Sequence, residues 1–248
     1  MPEPDAANIG SAIRFLPCGD AALTIEFGDS IDPAISARVL ALDAALRAEA
    51  IPGLIETVPT YRSLNVQFDP LALDYAALMA RAEAIAAAAK PQTATARRWR
   101  VPVVYGGAFG IDLEDVAGRH GIAPKRLIEI HSGAVYRCYM IGFMPGLAYL
   151  GGLDPSIATP RRDNPRLKTP PGSVSIGGIQ ALVASVEMPS GWHLLGRTPA
   201  RAYMPGRDPV FLFEAGDEIV FEPVDASRWD GLDRAAEAGE LIAGIIPR

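Results

Sequence analysis

Between Tyr139 and Arg197, proline and glycine recur too often for long regular structure. Prolines stand at 145, 155, 160, 165, 170 and 171 within the segment 142–172. Each fixes φ and removes a backbone donor. The segment accordingly shows no helix or strand period, and a loop of that length inside a compact domain is either functional or disordered. Disorder fits poorly, because Phe143, Leu147, Tyr149, Leu150 and Leu153 need burial. The prolines also lower the entropy cost of ordering the loop. Its charges are Arg161, Arg162, Arg166 and Lys168 against Asp154 and Asp163, in a chain of net charge −6. An ordered, basic, Gly/Pro-rich loop suits a small anionic ligand or an acidic partner surface.

On either side of position 90 the pattern changes. Residues 1–11 read as a frayed terminus. Ala12–Leu16 and Ala22–Phe27 read as strands, with Leu23, Ile25 and Phe27 alternating against Thr24 and Glu26. Asp32-Pro33 is a helix start, followed by the stripe Ile35, Val39, Leu42, Leu46. Two strands follow, Ile55–Tyr61 and Ser63–Phe68. Asp69-Pro70 is read as opening a second helix, which stops at Pro91. This is a small α+β domain over 12–90. The polar stretch 91–98 reads as a linker. A second domain over 99–225 has strands at Trp99–Tyr105, Val135–Ile141, Ser173–Ile176, Ile179–Ala184, Trp192–Leu195, Val210–Phe213 and Glu218–Glu222. Short helices lie near 112–120 and 124–132, with Asp112 as a cap and His131 as a dipole-favoured residue near a helix end. Many short strands joined by Gly/Pro turns indicate an all-β barrel or sandwich. Residues 226–248 read as a partly helical tail.

Several chemistries are excluded. A net charge of −6 without a basic face argues against nucleic acid. No apolar run approaches the ~20 residues that span a bilayer, and no signal peptide is visible, so a cytoplasmic setting is expected. Cys18 and Cys138 read as small buried strand residues and not as a disulfide framework. There is no P-loop, no Gly-x-Gly-x-x-Gly after a strand and no His-Glu-x-x-His. The histidines at 120, 131 and 193 have no metal-ligand spacing, so no metal site is expected.

What remains is a set of candidates. In Gly-Trp-His-Leu-Leu-Gly-Arg (191–197), strand alternation puts His193, Leu195 and Arg197 on one face. His193 is then either a hydrogen-bonded core residue or an acid/base group, and with Arg197 it can grip a carboxylate or phosphate. Arg161 and Arg162, held between Pro160 and Pro165, are candidate ligand-binding charges. Phe143 and Tyr149 are either loop anchors or ligand stackers. Gly172 and Ser173 either present backbone N–H groups to an anion or simply lead into a strand.

These residues lie in recognisable company. Gly-Phe-Met-Pro-Gly-Leu-Ala-Tyr-Leu-Gly-Gly-Leu (142–153), Thr-Pro-Arg-Arg (159–162), Pro-Pro-Gly-Ser-Val-Ser-Ile-Gly-Gly (170–178) and Gly-Trp-His-Leu-Leu-Gly-Arg-Thr-Pro (191–199) resemble the family of 5-oxoprolinase B subunits. That family also carries the labels allophanate hydrolase subunit 1 and kinase A inhibitor, KipI. The resemblance extends to Cys-Gly-Asp-Ala-Ala-Leu (18–23), Val-Pro-Thr-Tyr-Arg-Ser-Leu (58–64), Pro-Val-Val-Tyr-Gly-Gly-Ala-Phe-Gly-Ile-Asp-Leu (102–113) and His131.

The resemblance implies that the second domain is a cyclophilin-like β-barrel, similar to one half of the carboxyltransferase part of urea carboxylase. It implies a chain that works with a second cyclophilin-like subunit and a third subunit to open 5-oxoproline to glutamate with ATP. ATP would then be held by this chain or with a partner. Catalytic roles would fall to His193 and Arg197, and substrate binding to Arg161, Arg162, Tyr149, Phe143, Gly172 and Ser173. The label KipI implies an alternative, a binding module that inhibits a sensor histidine kinase; a urea-carboxylase-related subunit is another. The sequence departs from the family pattern at Ala181–Ser185, where a Thr-Gly-Ile-Tyr-Pro-like segment is usual. It departs again at Ser190 and Leu147, where Gly and Phe are usual. These changes leave room for a different substrate.

Overall fold

In the computed structural model of the protein, residues 13–90 and 97–247 are described. The terminus read at 1–11 and most of the linker read at 91–98 lie outside them. The chain divides into two compact units, Met1–Ala94 and Thr95–Arg248.

In the first unit the order is β1 (Arg14–Pro17), β2 (Ala22–Glu26), α1 (Pro33–Ala48), β3 (Leu54–Pro59), β4 (Ser63–Phe68) and α2 (Tyr75–Ala88). The strands form one antiparallel sheet in the order β1-β2-β4-β3. Asp32 caps α1, its carboxylate accepting from the N–H groups of Ala34 and Ile35 at 2.6 and 3.3 Å. The expected stripe packs inward through Val39, Leu42 and Leu46, against Leu23, Ile25, Leu64 and Val66 of the sheet. Each such side chain stabilises the fold by roughly 1.5–3 kcal/mol. The second helix starts later than the sequence indicated. Asp69 takes the N–H of Leu71 in a turn that leaves Leu71 96% exposed, and Asp74 is the cap, accepting from Ala77 at 3.1 Å. Cys18 is exposed, against expectation, because it lies past the end of β1.

The second unit is built on a closed ring of seven strands: β5 (Arg98–Tyr105), β6 (Tyr136–Ile141), β7 (Ala148–Gly151), β9 (Ser173–Gly177), β10 (Gln180–Val183), β12 (His193–Arg197) and β13 (Glu218–Pro223). Around the ring the order is β12-β9-β10-β7-β6-β13-β5, and β5 returns to β12. Closure removes open sheet edges. Val101, Val103, Cys138, Leu150, Val174 and Ile219 fill the interior. A ribbon of β8 (Arg166–Thr169) and β11 (Met188–Ser190) forms a separate pair. Helices α3 (Leu113–Arg119) and α4 (Pro124–Gly133) precede β6. In the residues read as a tail, α5 (Trp229–Glu237) is followed by β14 (Gly244–Ile246), which pairs with β5.

Three details differ from the sequence reading. The aperiodic segment 142–172 contains β7 and β8, four-residue strands too short to show a period. Val210–Phe213 is no strand; Phe211 makes one isolated bridge with Tyr203 while Leu212 and Phe213 turn into the core. Arg98, placed in the linker, opens β5 and pairs with Glu218 at 2.7 Å.

Asp112 ties together the side of the barrel where the candidate residues Arg161 and Arg162 lie. It precedes α3, yet its side chain does not cap that helix. Its carboxylate accepts from both terminal nitrogens of Arg166 at 2.9 and 2.6 Å, from Arg162 at 3.3 Å and from the Leu194 N–H at 2.8 Å. Its own N–H donates to the Leu194 carbonyl at 3.0 Å. β5 pairs with β12 only at Gly196 and Arg197, so Asp112 supplies both halves of a strand pairing where β5 has diverged. Burial alone would raise the carboxyl pKa. The Arg166 hydrogen bond, the Leu194 N–H and the charges of Arg166 and Arg162 together outweigh it and hold the group below its ordinary value.

His131 lies in the last turn of α4, as expected, but it is not a cation favoured by the helix dipole. It is fully buried, stacked on Phe221 with centroids 5.1 Å apart, and its Nδ1 lies 2.9 Å from the Tyr105 hydroxyl. Burial lowers its pKa to about 3.

Two stability outcomes follow. Asp112→Asn is expected to cost on the order of 2–3 kcal/mol at pH 7 in denaturant unfolding. That is below the ~3–5 typical of a fully buried pair, because the Arg162 and Arg166 side chains keep 29% and 22% exposure. The folded pKa is depressed, so the carboxylate's contribution is complete above about pH 3.9 and fades as pH falls through its lower folded value; the wild type–variant gap narrows there. His131 also has a depressed folded pKa, so its contribution is complete above about pH 6.5 and is lost as pH falls toward about 3. Between those values the wild type should lose up to about 1.4 kcal/mol per pH unit relative to His131→Leu. Parallel pH profiles of the two proteins would refute this.

Candidate functional site

The outer wall of the barrel carries an arginine–aromatic platform. Val174 and Ile176 face the interior, so Ser173, Ser175 and Gly177 of β9 face out. In register across four strands, Leu194, Ser175, Leu182 and Tyr149 form one outward row. The Trp192 indole lies over Gly177; a Cβ there would come within 2.6 Å of the ring, so only glycine lets it lie so close. Tyr149 meets Trp192 edge-on at 6.1 Å and 70°. The Arg161 guanidinium sits over the indole at 5.5 Å. Leu147, Leu182, Ala184 and Met188 pack with Trp192 in a satellite core, with Met144 and Tyr149 half-buried against it. Burial raises the Tyr149 pKa, with the Arg161 charge opposing, so the phenol stays a protonated donor at neutral pH.

The loop's four cations have separate fates. Arg162 and Arg166 are both hydrogen-bonded to the one carboxylate of Asp112, and Lys168 pairs with Glu187 at 2.9 Å. Among the described residues Arg161 alone of the four has no carboxylate partner. Most of the positive balance read from sequence is therefore used internally.

Of the residues singled out from sequence, Arg161 and Tyr149 converge on this platform, and Arg162 secures its edge, its N–H donating to the Gly191 carbonyl at 2.8 Å. His193 and Arg197 do not converge. A bulge between Leu194 and Gly196 shifts the register, so His193 pairs with Ile176 and Arg197 with Ser173, residues on opposite faces of β9. Arg197 donates to the Pro171 carbonyl at 3.2 and 3.1 Å and stacks on Trp229 of α5 at 4.8 Å. His193 Nε2 lies 2.9 Å from the Pro160 carbonyl, so it carries the proton; Nδ1 is buried without a protein partner.

Gly172 and Ser173 have no N–H free for an anion. These groups donate to the Ala184 carbonyl at 2.9 Å and the Pro170 carbonyl at 3.3 Å, forming a turn into β9. Phe143 is not the buried loop anchor. It is 67% exposed at the tip of the β6–β7 loop, with φ +67. Met144 and Leu147 take the anchoring role, and Ser185 Oγ donates to the Pro145 carbonyl beneath.

Sequence reasoning missed the roles of Asp112 and Trp192. The Gly177-Gly178 pair was a usable signal for a ring lying on the wall, but nothing local announces that Asp112 meets Arg166. Among the described residues no cluster of His, Cys, Asp and Glu could hold a metal ion, and no helix is long and apolar enough to cross a membrane. The platform offers one guanidinium without a carboxylate partner, held over the indole, and a neutral phenol. That suits one carboxylate or one phosphoryl group.

Residues 13–213 match the family described as carboxyltransferase domain, subdomain C and D. The 5-oxoprolinase B subunit of Bacillus subtilis (strain 168) is 36% identical over 214 residues, 82% of this chain and 89% of that protein. The solved structure of TTHA0988 matches with a TM-score of 0.75 at 31% identity, covering 83% of this chain; this chain spans 40% of that one. The urea amidolyase of K. lactis matches with a TM-score of 0.81 over 98% of this chain and 17% of its own, at 18% identity, a likeness of fold alone. The chain belongs to the carboxyltransferase subdomain C and D family, together with the 5-oxoprolinase B subunits.

Proposed function

We propose that this chain is the B subunit of an ATP-dependent 5-oxoprolinase and that Arg161, on its Trp192 bed beside Tyr149, is the group that holds the reacting anion. The carrying observation is that Arg161 keeps its charge available while its neighbours in the loop are paired. The names of the relatives at 36–39% identity support the reaction.

A lactam carbonyl is a poor electrophile because nitrogen donates into it. Transfer of the terminal phosphoryl group of ATP to the carbonyl oxygen removes that obstacle. Water then adds to the carbon, the C–N bond breaks as the nitrogen takes a proton, and a second water hydrolyses the acyl phosphate so formed, giving glutamate, ADP and phosphate. Arg161 neutralises either the ring carboxylate or the transferred phosphoryl group, and the Tyr149 hydroxyl adds a donor. One guanidinium fits one anionic group and is too little for a triphosphate. We therefore place ATP with a partner subunit, in a cytoplasmic complex of this chain, a second cyclophilin-like subunit and a third subunit. His193 is buried with its N–H on the Pro160 carbonyl and is not placed to act as the general base; the base also belongs to a partner in this reading. The altered segment 181–185 contributes Leu182 and Ala184 to the apolar bed, so the choice among related lactams is made there.

A second reading has one observation in its favour. The exposed Phe143 is an apolar tip suited to a protein surface, as in a histidine-kinase inhibitor.

In the complex assembled with its genomic neighbours, ATP-dependent glutamate release from 5-oxoproline is expected. Arg161→Ala should lower kcat/KM by about 100-fold or more without loss of assembly, and Arg161→Lys should recover only part of it, because an ammonium neither forks nor stacks as well. Full turnover by Arg161→Ala would end the assignment; a complex without glutamate release, but with kinase autophosphorylation blocked by the free chain, would favour the second reading.

A further inference from the structure

Residues 160–162 and 191–193 run side by side, outside any shared sheet. They are tied at two points. The Arg162 N–H donates to the Gly191 carbonyl at 2.8 Å, a backbone tie. The Pro160 carbonyl accepts from His193 Nε2 at 2.9 Å, a side-chain tie. Between the ties lie Arg161 on one segment and Trp192 on the other, and these two side chains stack. His193 is 1% exposed, with its ring on the interior side of the wall. It cannot meet a ligand on the outer platform, yet it holds the carbonyl immediately before Arg161.

We propose that His193 is a positioning residue for Arg161. Its Nε2–H fixes the Pro160 carbonyl, and through it the direction in which the Arg161 side chain leaves the loop, so that the guanidinium sits over Trp192. The imidazole takes no part as an acid or base. Without the His193 tie the loop would be held at the Thr159–Gly178 bridge and at Arg162, leaving the Pro160–Arg161 peptide between them to turn, and the contact with Trp192 would be one arrangement among several. Preorganising a charged donor in this way avoids an ordering cost at the moment of binding. The consequence for catalysis rests on the oxoprolinase reading of Arg161; the geometric claim does not.

The tie needs a donor at the reach of Nε2 and nothing else of the ring. Gln has that reach; Asn, whose amide falls near the Nδ1 position, does not. In the assembled complex, His193→Asn and His193→Phe should raise KM for 5-oxoproline about tenfold with kcat changed less than threefold, and His193→Gln should restore KM to within about threefold of wild type. In an Arg161→Ala background the His193→Asn and His193→Phe changes should add less than twofold. An acid/base role would instead show as a kcat loss that Gln fails to rescue, and a general packing role as an equal effect in both backgrounds; either overturns the proposal. Proton NMR of the isolated chain supplies a substrate-free readout. The Arg161 Hδ resonances are expected upfield from the indole ring current in the wild type; they should move toward their random-coil position in His193→Asn and stay in His193→Gln. If they stay in both variants, the proposal fails. If they behave as stated while the wild-type complex makes no glutamate, the functional reading fails and the positioning role stands.

Discussion

Asp112 does for β12 what a length of neighbouring strand would otherwise do. Its N–H and one carboxylate oxygen bracket the carbonyl and N–H of Leu194. The same carboxylate takes the fork of Arg166 and one nitrogen of Arg162. A single residue therefore finishes the barrel edge and anchors the loop that bears Arg161. The three demands cannot be met by a neutral residue of the same shape. An amide has one oxygen, and its nitrogen would face guanidinium donors. This is why two arginines can be held with low exposure in a chain with a negative overall charge, and why they are not free for a ligand.

Once that clamp is in place, the division of labour in the loop follows. Arg162 and Arg166 are structural cations, Lys168 is bound to Glu187 at the surface, and Arg161 is left with an aromatic face in place of a counter-ion. A guanidinium on an indole keeps its charge and its hydrogen-bonding edge, whereas one in a bidentate pair with a carboxylate keeps neither for a newcomer. Gly177 is part of the same device, because the indole can lie against the wall only where no Cβ intervenes.

Features set by neighbours in sequence were legible. Asp32-Pro33 and the stripe ending at Leu46 gave α1, since cap and period are both local. The Gly/Pro punctuation gave β9, β10, β12 and β13. The second helix was misplaced because Asp69 and Asp74 have the same local chemistry, and only the packing of Leu78 and Ala82 selects the later start. Arg161 and Tyr149, singled out by residue type, do come together at the Trp192 ring. Their partners were not legible. Asp112 meets residues 50, 54 and 82 positions away, and no window of sequence contains such a contact. The expected His193–Arg197 pair failed for a related reason. Alternation along an isolated strand puts them on one face, but the bulge at Leu195 exists only in the pairing with β9. Non-local hydrogen bonding decided which way each side chain pointed.

Phe143 has a consequence for how this chain can evolve. A non-glycine residue at positive φ carries a steric cost of about 1 kcal/mol or more, and this one also leaves most of a large ring in water. Glycine at that position would remove both penalties. A laboratory selection for heat resistance alone would find that change early, and the resulting protein would be sturdier while presenting a blank loop tip. Folding stability by itself gives no reason for the ring, so at position 143 the chain is answerable to something other than its own core.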